Sequence, residues 1–173
     1  LELVGKHASM PPLGLLTVAA MIPDPYRLRL VDMNVAPLSD QDLDWADLVL
    51  TSSMVVQQRS LREVIARCNA RRRPVAVGGP HPTSFADEIA GADHYLLDEV
   101  EEIFPRFLSD WESGRAARVY RAERKPAITD TPAPRFAGSC TFRTFSRGVT
   151  STPSASGFTT SSGFFLAFMM LGS

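Results

Sequence analysis

Pro74-Val75-Ala76-Val77-Gly78-Gly79-Pro80-His81-Pro82 is the stretch that decides the fold. Its first part is apolar on every side and too short for a helix, which is the pattern of a strand buried on both faces of a sheet. The chain then meets two glycines and a proline, so the strand stops at a backbone left bare of side chains. Upstream, Leu61, Val64, Ile65 and Cys68 recur at helical spacing, and Arg71-Arg72-Arg73 closes that helix at the end where its dipole favours cations. The arginine run therefore reads as a helix terminus before it reads as a nucleic-acid patch. Further upstream, Leu48-Val49-Leu50 is a second short apolar run, and Tyr26 to Asp32 alternates like a partly covered strand. Pro11-Pro12-Leu13-Gly14 opens an earlier helix that Pro23-Asp24-Pro25 stops.

Downstream, a short helix with Phe85 and Ile89 ends at Gly91, and His94-Tyr95-Leu96-Leu97 is a fourth strand. Val100, Ile103, Phe104, Phe107, Leu108 and Trp111 trace one face of a strong helix that Gly114 ends. Asp98 and Glu101 have the form of a capping pair at its start. Short apolar strands separated by helices mean a parallel sheet covered on both faces with right-handed crossovers, so the fold class is doubly wound α/β. Strands are expected at 27–32, 48–52, 75–78 and 94–97, and helices at about 13–22, 56–71 and 99–113. The first helix has no strand before it, which predicts a five-stranded unit missing its first strand.

Composition sets outer bounds. The 173 residues are 45% apolar and 21% charged, as expected of one globular domain, and 18 basic against 19 acidic residues leave a formal charge of −1. No long-range field draws such a chain to nucleic acid or an anionic membrane. Cys68 and Cys140 are the two cysteines, too few for a disulfide framework, and the cytoplasm is the expected compartment. The chain opens at Leu1 without a methionine or a signal peptide, and a missing beginning is expected. All 19 acidic residues lie before residue 137, and the remainder is rich in Ser, Thr, Gly and Phe. The apolar run Phe164 to Leu171 is too short to span a bilayer. The expected division is an α/β domain at 1–121, a connector at 122–136 and a tail at 137–173 that is disordered or read from a foreign frame.

In a doubly wound sheet ligands bind at the carboxyl ends of the strands. Those ends carry Asp32, Ser52-Ser53-Met54, Gly78-Gly79-Pro80-His81 and Asp98-Glu99. Ser52 and Ser53 can cap the next helix or donate to a ligand, and the glycine pair can serve a tight turn or leave room for one. Rival sites fail on residues. There is no Gly-x-Gly-x-x-Gly, no phosphate loop, no Gly-x-Ser-x-Gly and no clustered Cys/His set, and Lys6 and Lys125 are the only lysines.

Val4 to Ala20, Leu30-Val31-Asp32-Met33-Asn34, Gly78 to Thr83 and Gly91-Ala92-Asp93-His94, followed by the connector Lys125 to Asp130 and Pro134-Arg135-Phe136, resemble the amino-terminal cobalamin-binding domain of cobalamin-dependent radical SAM enzymes. The resemblance implies a flavodoxin-like (Rossmann-like) fold with the corrin at the strand ends and the nucleotide tail between sheet and helices. It assigns cofactor binding to Leu13, Gly14, Ser52, Ser53, Met54, Gly78, Gly79, Pro80, His81 and Glu99, with no catalytic residue and no protein ligand to the metal. Ser52-x-Met54 stands where the wider family has Ser-x-Leu. The wider family's Asp-x-His-x-x-Gly is absent, and Asp98 stands where relatives have glycine. Phe145-Ser146-Arg147-Gly148 is similar to the segment before the cluster cysteines, but Val149 replaces the first of them. S-adenosylmethionine and a four-iron four-sulfur cluster are thus expected only in an intact parent enzyme, and this chain as a cobalamin-binding module not catalytic alone. The alternative is a degenerate α/β domain that binds no cofactor and mediates protein contacts. The oligomeric state and the parent's substrate are not legible.

Overall fold

A computed structural model describes residues 13–23, 26–34, 36–127, 129 and 131–134, with the backbone of 140–142 and 167–172. The elements in chain order are α1 (Leu13–Met21), β1 (Arg27–Asp32), α2 (Asp40–Trp45), β2 (Leu48–Ser52), α3 (Gln58–Ala70), β3 (Val75–Gly78), α4 (Pro80–Phe85), β4 (His94–Leu97), α5 (Val100–Glu112), β5 (Val119–Arg121), β6 (Cys140–Phe142) and β7 (Ala167–Gly172). Single 3₁₀ turns at Val55–Gln57 and Ala86–Glu88 precede α3 and follow α4. The four expected strands stand at the expected positions, and the three long helices agree to within a residue or so at most ends.

The strands form one sheet in the order β5-β4-β3-β2-β7-β1-β6. β2 to β5 run parallel, with Ser52 opposite Gly78 and Gly78 opposite Leu96. One face packs under α1 and α5 through Leu28, Leu30, Leu48, Leu50, Ala76 and Leu96, against Leu16, Phe104 and Phe107. The other packs through Val31, Val49, Val75, Val77, Tyr95 and Leu97, against Leu43 of α2 and Leu61, Val64 and Ile65 of α3. Helices on both faces of a mainly parallel sheet make this a doubly wound, flavodoxin-like arrangement.

Local rules account for several ends. Ser39 caps α2 in a reciprocal box with Asp42, whose buried carboxylate also accepts from Arg29 at 2.9 Å. Arg71 follows α3, with its guanidinium 2.6 Å from a carboxylate oxygen of Asp40, as a helix-terminal cation would be. Gly114, at φ +68, lies just past the end of α5.

Two expectations are corrected, and two short strands lie in the segment after residue 136. Asp98 does not cap α5: the N-cap is Glu99, no side chain bonds the first-turn amides, and Asp98 itself sits at φ +66 with its carboxylate on Arg121 at 2.8 Å. Neither Ser52 nor Ser53 caps a helix, because Val55–Gln57 intervenes and the residue before α3 is Gln57. Cys140–Phe142 and Ala167–Gly172, within the segment read as a tail, are strands of the same sheet. The rest of that segment and the opening Pro11-Pro12 lie outside the described residues.

β7 is an interior strand of the sheet. It lies between β1 and β2 and runs antiparallel to both, with Leu30 and Leu50 each opposite Met169. The facing edges of β1 and β2 would otherwise leave a row of buried N–H and C=O groups unpaired. In hydrogen exchange, the amides of Ala167–Gly172 are expected to be protected to the same order as those of Leu48–Ser52. Exchange there at the rate of an unstructured peptide would remove β7 from the sheet.

Candidate functional site

The carboxyl ends of β2, β3 and β4 open into a cavity of about 760 Å³ on the face covered by α1 and α5. Its floor is the apolar wall of Leu50, Ala76 and Leu96, whose side chains share that face of the sheet. Leu15 and Val18 of α1 and Val100 of α5 flank it. Its polar groups sit at the mouth: Ser52, Thr83 and Ser84, then Asp98, Glu99 and Glu101, then Glu123, Arg124 and Lys125. An apolar cleft with a few converging polar groups is the usual form of a small-molecule site.

Two glycines keep this space open. Gly14 stands in the first turn of α1, and a Cβ built on it meets nothing within 4 Å. Gly78 ends β3, and a Cβ there would come 3.2 Å from the carbonyl oxygen of Leu96. Gly79 is bare for a different reason. It lies at φ +92 and ψ −176, a region that only glycine adopts readily, and a Cβ would stand 2.6 Å from Ser52 Oγ. The carbonyl of Gly79 accepts from the Thr83 N–H at 3.1 Å, which turns the chain into α4. Thr83 Oγ1 accepts in turn from the Asp98 N–H at 2.9 Å, so the third and fourth loops are tied together.

Of the residues singled out in the sequence, Gly14, Ser52, Gly78, Gly79, Pro80 and Glu99 line the cavity. Leu13 and Met54 are exposed outside its lining, at 46% and 38%. Ser53 and His81 are buried at 1% each and do not line it. Burial holds the His81 imidazole below the ordinary histidine value, with Arg62 lowering it further and Glu88 opposing. His94 opens β4, at the end of the strand away from the cavity, with Nδ1 2.7 Å from the Ala117 carbonyl. His7 lies outside the described residues. Among the described residues no group of three His, Cys, Asp or Glu side chains could hold a metal ion. Burial pushes the Cys68 thiol up to about 11, so it stays protonated and unreactive at neutral pH.

The sequence reading missed the walls: Leu15, Val18, Leu50, Ala76, Leu96, Thr83, Ser84 and the stretch from Ala122 to Lys125. The only signal for the last was its place directly after a strand end; for Thr83 and Ser84 it was their sequence proximity to the glycine pair.

The model of the B12 binding domain matches residues 7–108. An uncharacterized methyltransferase of Synechocystis sp. is 45% identical over 138 residues, covering 79% of this chain and 26% of that protein. The hopanoid C-2 methylase of Rhodopseudomonas palustris is 30% identical over 75% of this chain and 25% of its own length. The bacteriochlorophyllide d C-12(1)-methyltransferase of Chlorobaculum tepidum is 26% identical over 75% and 29%. The chain thus spans between a quarter and three tenths of the length of these relatives. No helix among the described residues is long and apolar enough to cross a membrane.

The two kinds of glycine separate experimentally. Gly79→Ala is expected to lower folding stability by about 1–3 kcal/mol in urea unfolding, because it forces a side chain into a glycine-only conformation against Ser52. Gly14→Leu is expected to cost under about 0.5 kcal/mol, since leucine favours a helix over glycine and the space beside it is open. A reversed order would show that the cavity geometry is misread.

Proposed function

Because this chain belongs to the family of B12-binding domains, we propose that its cavity takes the nucleotide tail of cobalamin while the corrin lies over the carboxyl ends of β2, β3 and β4. The observation that carries the reading is the floor of Leu50, Ala76 and Leu96 continued by the bare backbone of Gly78, a slot into which a flat aromatic base can slide. The residues present suit such a tail. The apolar floor and flanks exclude water from its base, and Ser52 Oγ lies beside Gly79 as a hydrogen-bonding group at the slot's edge. Gly14 leaves space on the α1 side, and the acidic and basic side chains of the mouth face the amide-rich rim of a corrin. Glu99 joins that rim set, and Pro80 fixes the turn at which α4 begins. Leu13 and Met54, exposed near the same end of the sheet, are apolar surface for the corrin plane, whereas Ser53 and His81 act from behind the wall.

Cobalamin, when bound, supplies a cobalt centre that can carry a methyl group. This chain's part is to bind, orient and shield the cofactor, and it has no catalytic residue of its own. The methylase relatives support placing it as the cofactor-carrying portion of a methyl-transferring protein, with S-adenosylmethionine and a four-iron four-sulfur cluster belonging to another portion. The described histidines, His81 and His94, do not line the cavity, which supports the reading of a cobalt bound without a protein imidazole.

After incubation with hydroxocobalamin and desalting, the wild-type chain is expected to keep the corrin absorption bands. Gly14→Leu and Gly78→Val should each weaken retention at least tenfold, about 1.4 kcal/mol, by filling the slot, and Gly14→Leu should do so with the fold intact. The electron paramagnetic resonance of the cob(II)alamin form should show no nitrogen splitting that disappears in His81→Ala. A colourless wild-type protein would overturn the reading in favour of a domain without cofactor.

A further inference from the structure

His81 is a buried titratable group beside the cavity that cofactor binding leaves unused. It is the second residue of α4, 1% exposed, and its Nδ1 has no hydrogen-bond partner. Its backbone N–H donates to the Ser53 carbonyl at 3.0 Å, and its ring centroid lies 6.0 Å from that of Phe85. Ser53 Oγ and Thr51 Oγ1 are likewise buried without partners. His81 and Ser53, joined through the backbone bond, thus carry two orphaned polar atoms at one contact, which is unusual in a native interior and asks for a role.

The role follows from what α4 separates. Pro80, Thr83 and Ser84 line the cavity, whereas His81 and Pro82 are buried away from it. The helix is six residues long and held by few bonds: Thr83 N–H to Gly79, His81 N–H to Ser53, and the Thr83 hydroxyl to the fourth loop. Among the packed elements, α3 presents Arg62 to the imidazole and the turn Ala86–Glu88 presents Glu88, while β2 and β3 end in Thr51, Ser53 and Gly78 and bring no charge. Burial and Arg62 outweigh Glu88, so the closed form disfavours the protonated ring. A buried imidazolium without a partner is costly, and a two-turn helix yields before a seven-stranded sheet does.

We infer that His81 is a positioning residue for the cavity: neutral, it packs behind α4 and fixes the wall that Pro80, Thr83 and Ser84 form; protonated, it displaces that wall and releases the ligand. The ligand in this statement rests on the cobalamin reading, but the movement of the wall does not. The sign is set by the lowered proton affinity in the closed form. The displaced form binds the extra proton, so closure is complete above the ordinary histidine value of about 6.5 and weakens as pH falls through the range below it.

The test uses the whole chain, first without cofactor. Amide exchange of His81, Thr83, Ser84 and Phe85, corrected for intrinsic rates and referred to the β2 amides, is followed at pH 7.5 and pH 5.0. Wild type should exchange at least tenfold faster at the lower pH, and His81→Phe, which keeps a ring but cannot be protonated, should show no such change. His81→Gln gives the same comparison if the phenylalanine variant does not fold. With hydroxocobalamin loaded, the half-life of release should shorten at least fivefold in wild type between the two pH values and stay constant in the variant. A wild-type response absent, or kept by either variant, overturns the inference. An exchange response in a protein that retains no corrin would sink the cobalamin reading alone, and corrin retention with a pH-insensitive α4 would sink only the role of His81.

Discussion

The sheet depends on one pairing demand, that of the facing edges of β1 and β2. β2 is buried on both faces and β1 is buried at Leu28, Leu30 and Val31, so the edges that face each other lie within the core and their backbone groups need partners. In a doubly wound unit a parallel strand preceding the first helix meets this demand; here β7 meets it from the other end of the chain, antiparallel, across all of β1 and β2. The direction of the inserted strand is secondary to its presence. An antiparallel strand supplies bonds to both neighbours as a parallel one does, and α1 still covers the join, packing on both β2 and β7. With that slot filled, β1 and β2 run in the same direction, and the carboxyl ends of β1 to β4 lie along one edge.

The cavity follows from this alignment. Because β2, β3 and β4 end together, with Ser52, Gly78 and Leu96 in register, the loops after them must diverge to reach helices on opposite faces. The chain after β2 turns toward α3 and the chain after β4 toward α5, and between them the sheet edge is left uncovered. Gly78 extends this opening by withholding a side chain, and the tie from Thr83 to the Asp98 N–H keeps the far loop from closing over it. Asp98 takes a left-handed conformation that glycine adopts more readily, and its ion pair with Arg121 helps to hold it there. The departure seen in the sequence is thus absorbed locally, at a backbone cost of about 1 kcal/mol that an exposed ion pair offsets in part.

Much of this was legible in the residues, and what was not has identifiable physical reasons. Leu48–Ser52, Val75–Gly78 and His94–Leu97 are runs of apolar side chains bounded by breakers, and α3 and α5 carry apolar stripes, so element type and place follow from period alone. Val119–Arg121 is three residues long, too short to show a period. Ala167–Gly172 carries an apolar run like those of β2 to β4, but it follows a Ser-, Thr- and Gly-rich stretch with no acidic residue and no period, which is the composition of a tail. Asp98 and Glu101 match a capping pair in spacing while the backbone at Asp98 turns left-handed, a property the spacing does not reveal. The loop ends of the site were legible because glycine and serine there are informative. The floor was not, since a strand apolar on every position does not say which alternate residues face which helices.

The same ambiguity shows why the empty positions, more than the filled ones, mark the site. Gly14 in a helix and Gly78 in a strand each weaken their element relative to alanine by about 0.5–1 kcal/mol, and at Gly14 no neighbouring atom forbids a side chain. Gly79, by contrast, is demanded by its own backbone and by Ser52, and would be glycine with or without a ligand. Stability is thus given up at Gly14, which borders the cavity, whereas at Gly78 a Cβ would press on the Leu96 carbonyl oxygen at 3.2 Å. A fold selected only to be stable would have filled Gly14, whereas a fold that must admit a flat group beside α1 cannot. The buried Ser53 and His81, outside the cavity lining, add a second cost at the same edge of the sheet, in polar atoms without partners. The partnerless His81 Nδ1 lies on the short helix α4, three residues of which, Pro80, Thr83 and Ser84, line the space beside it.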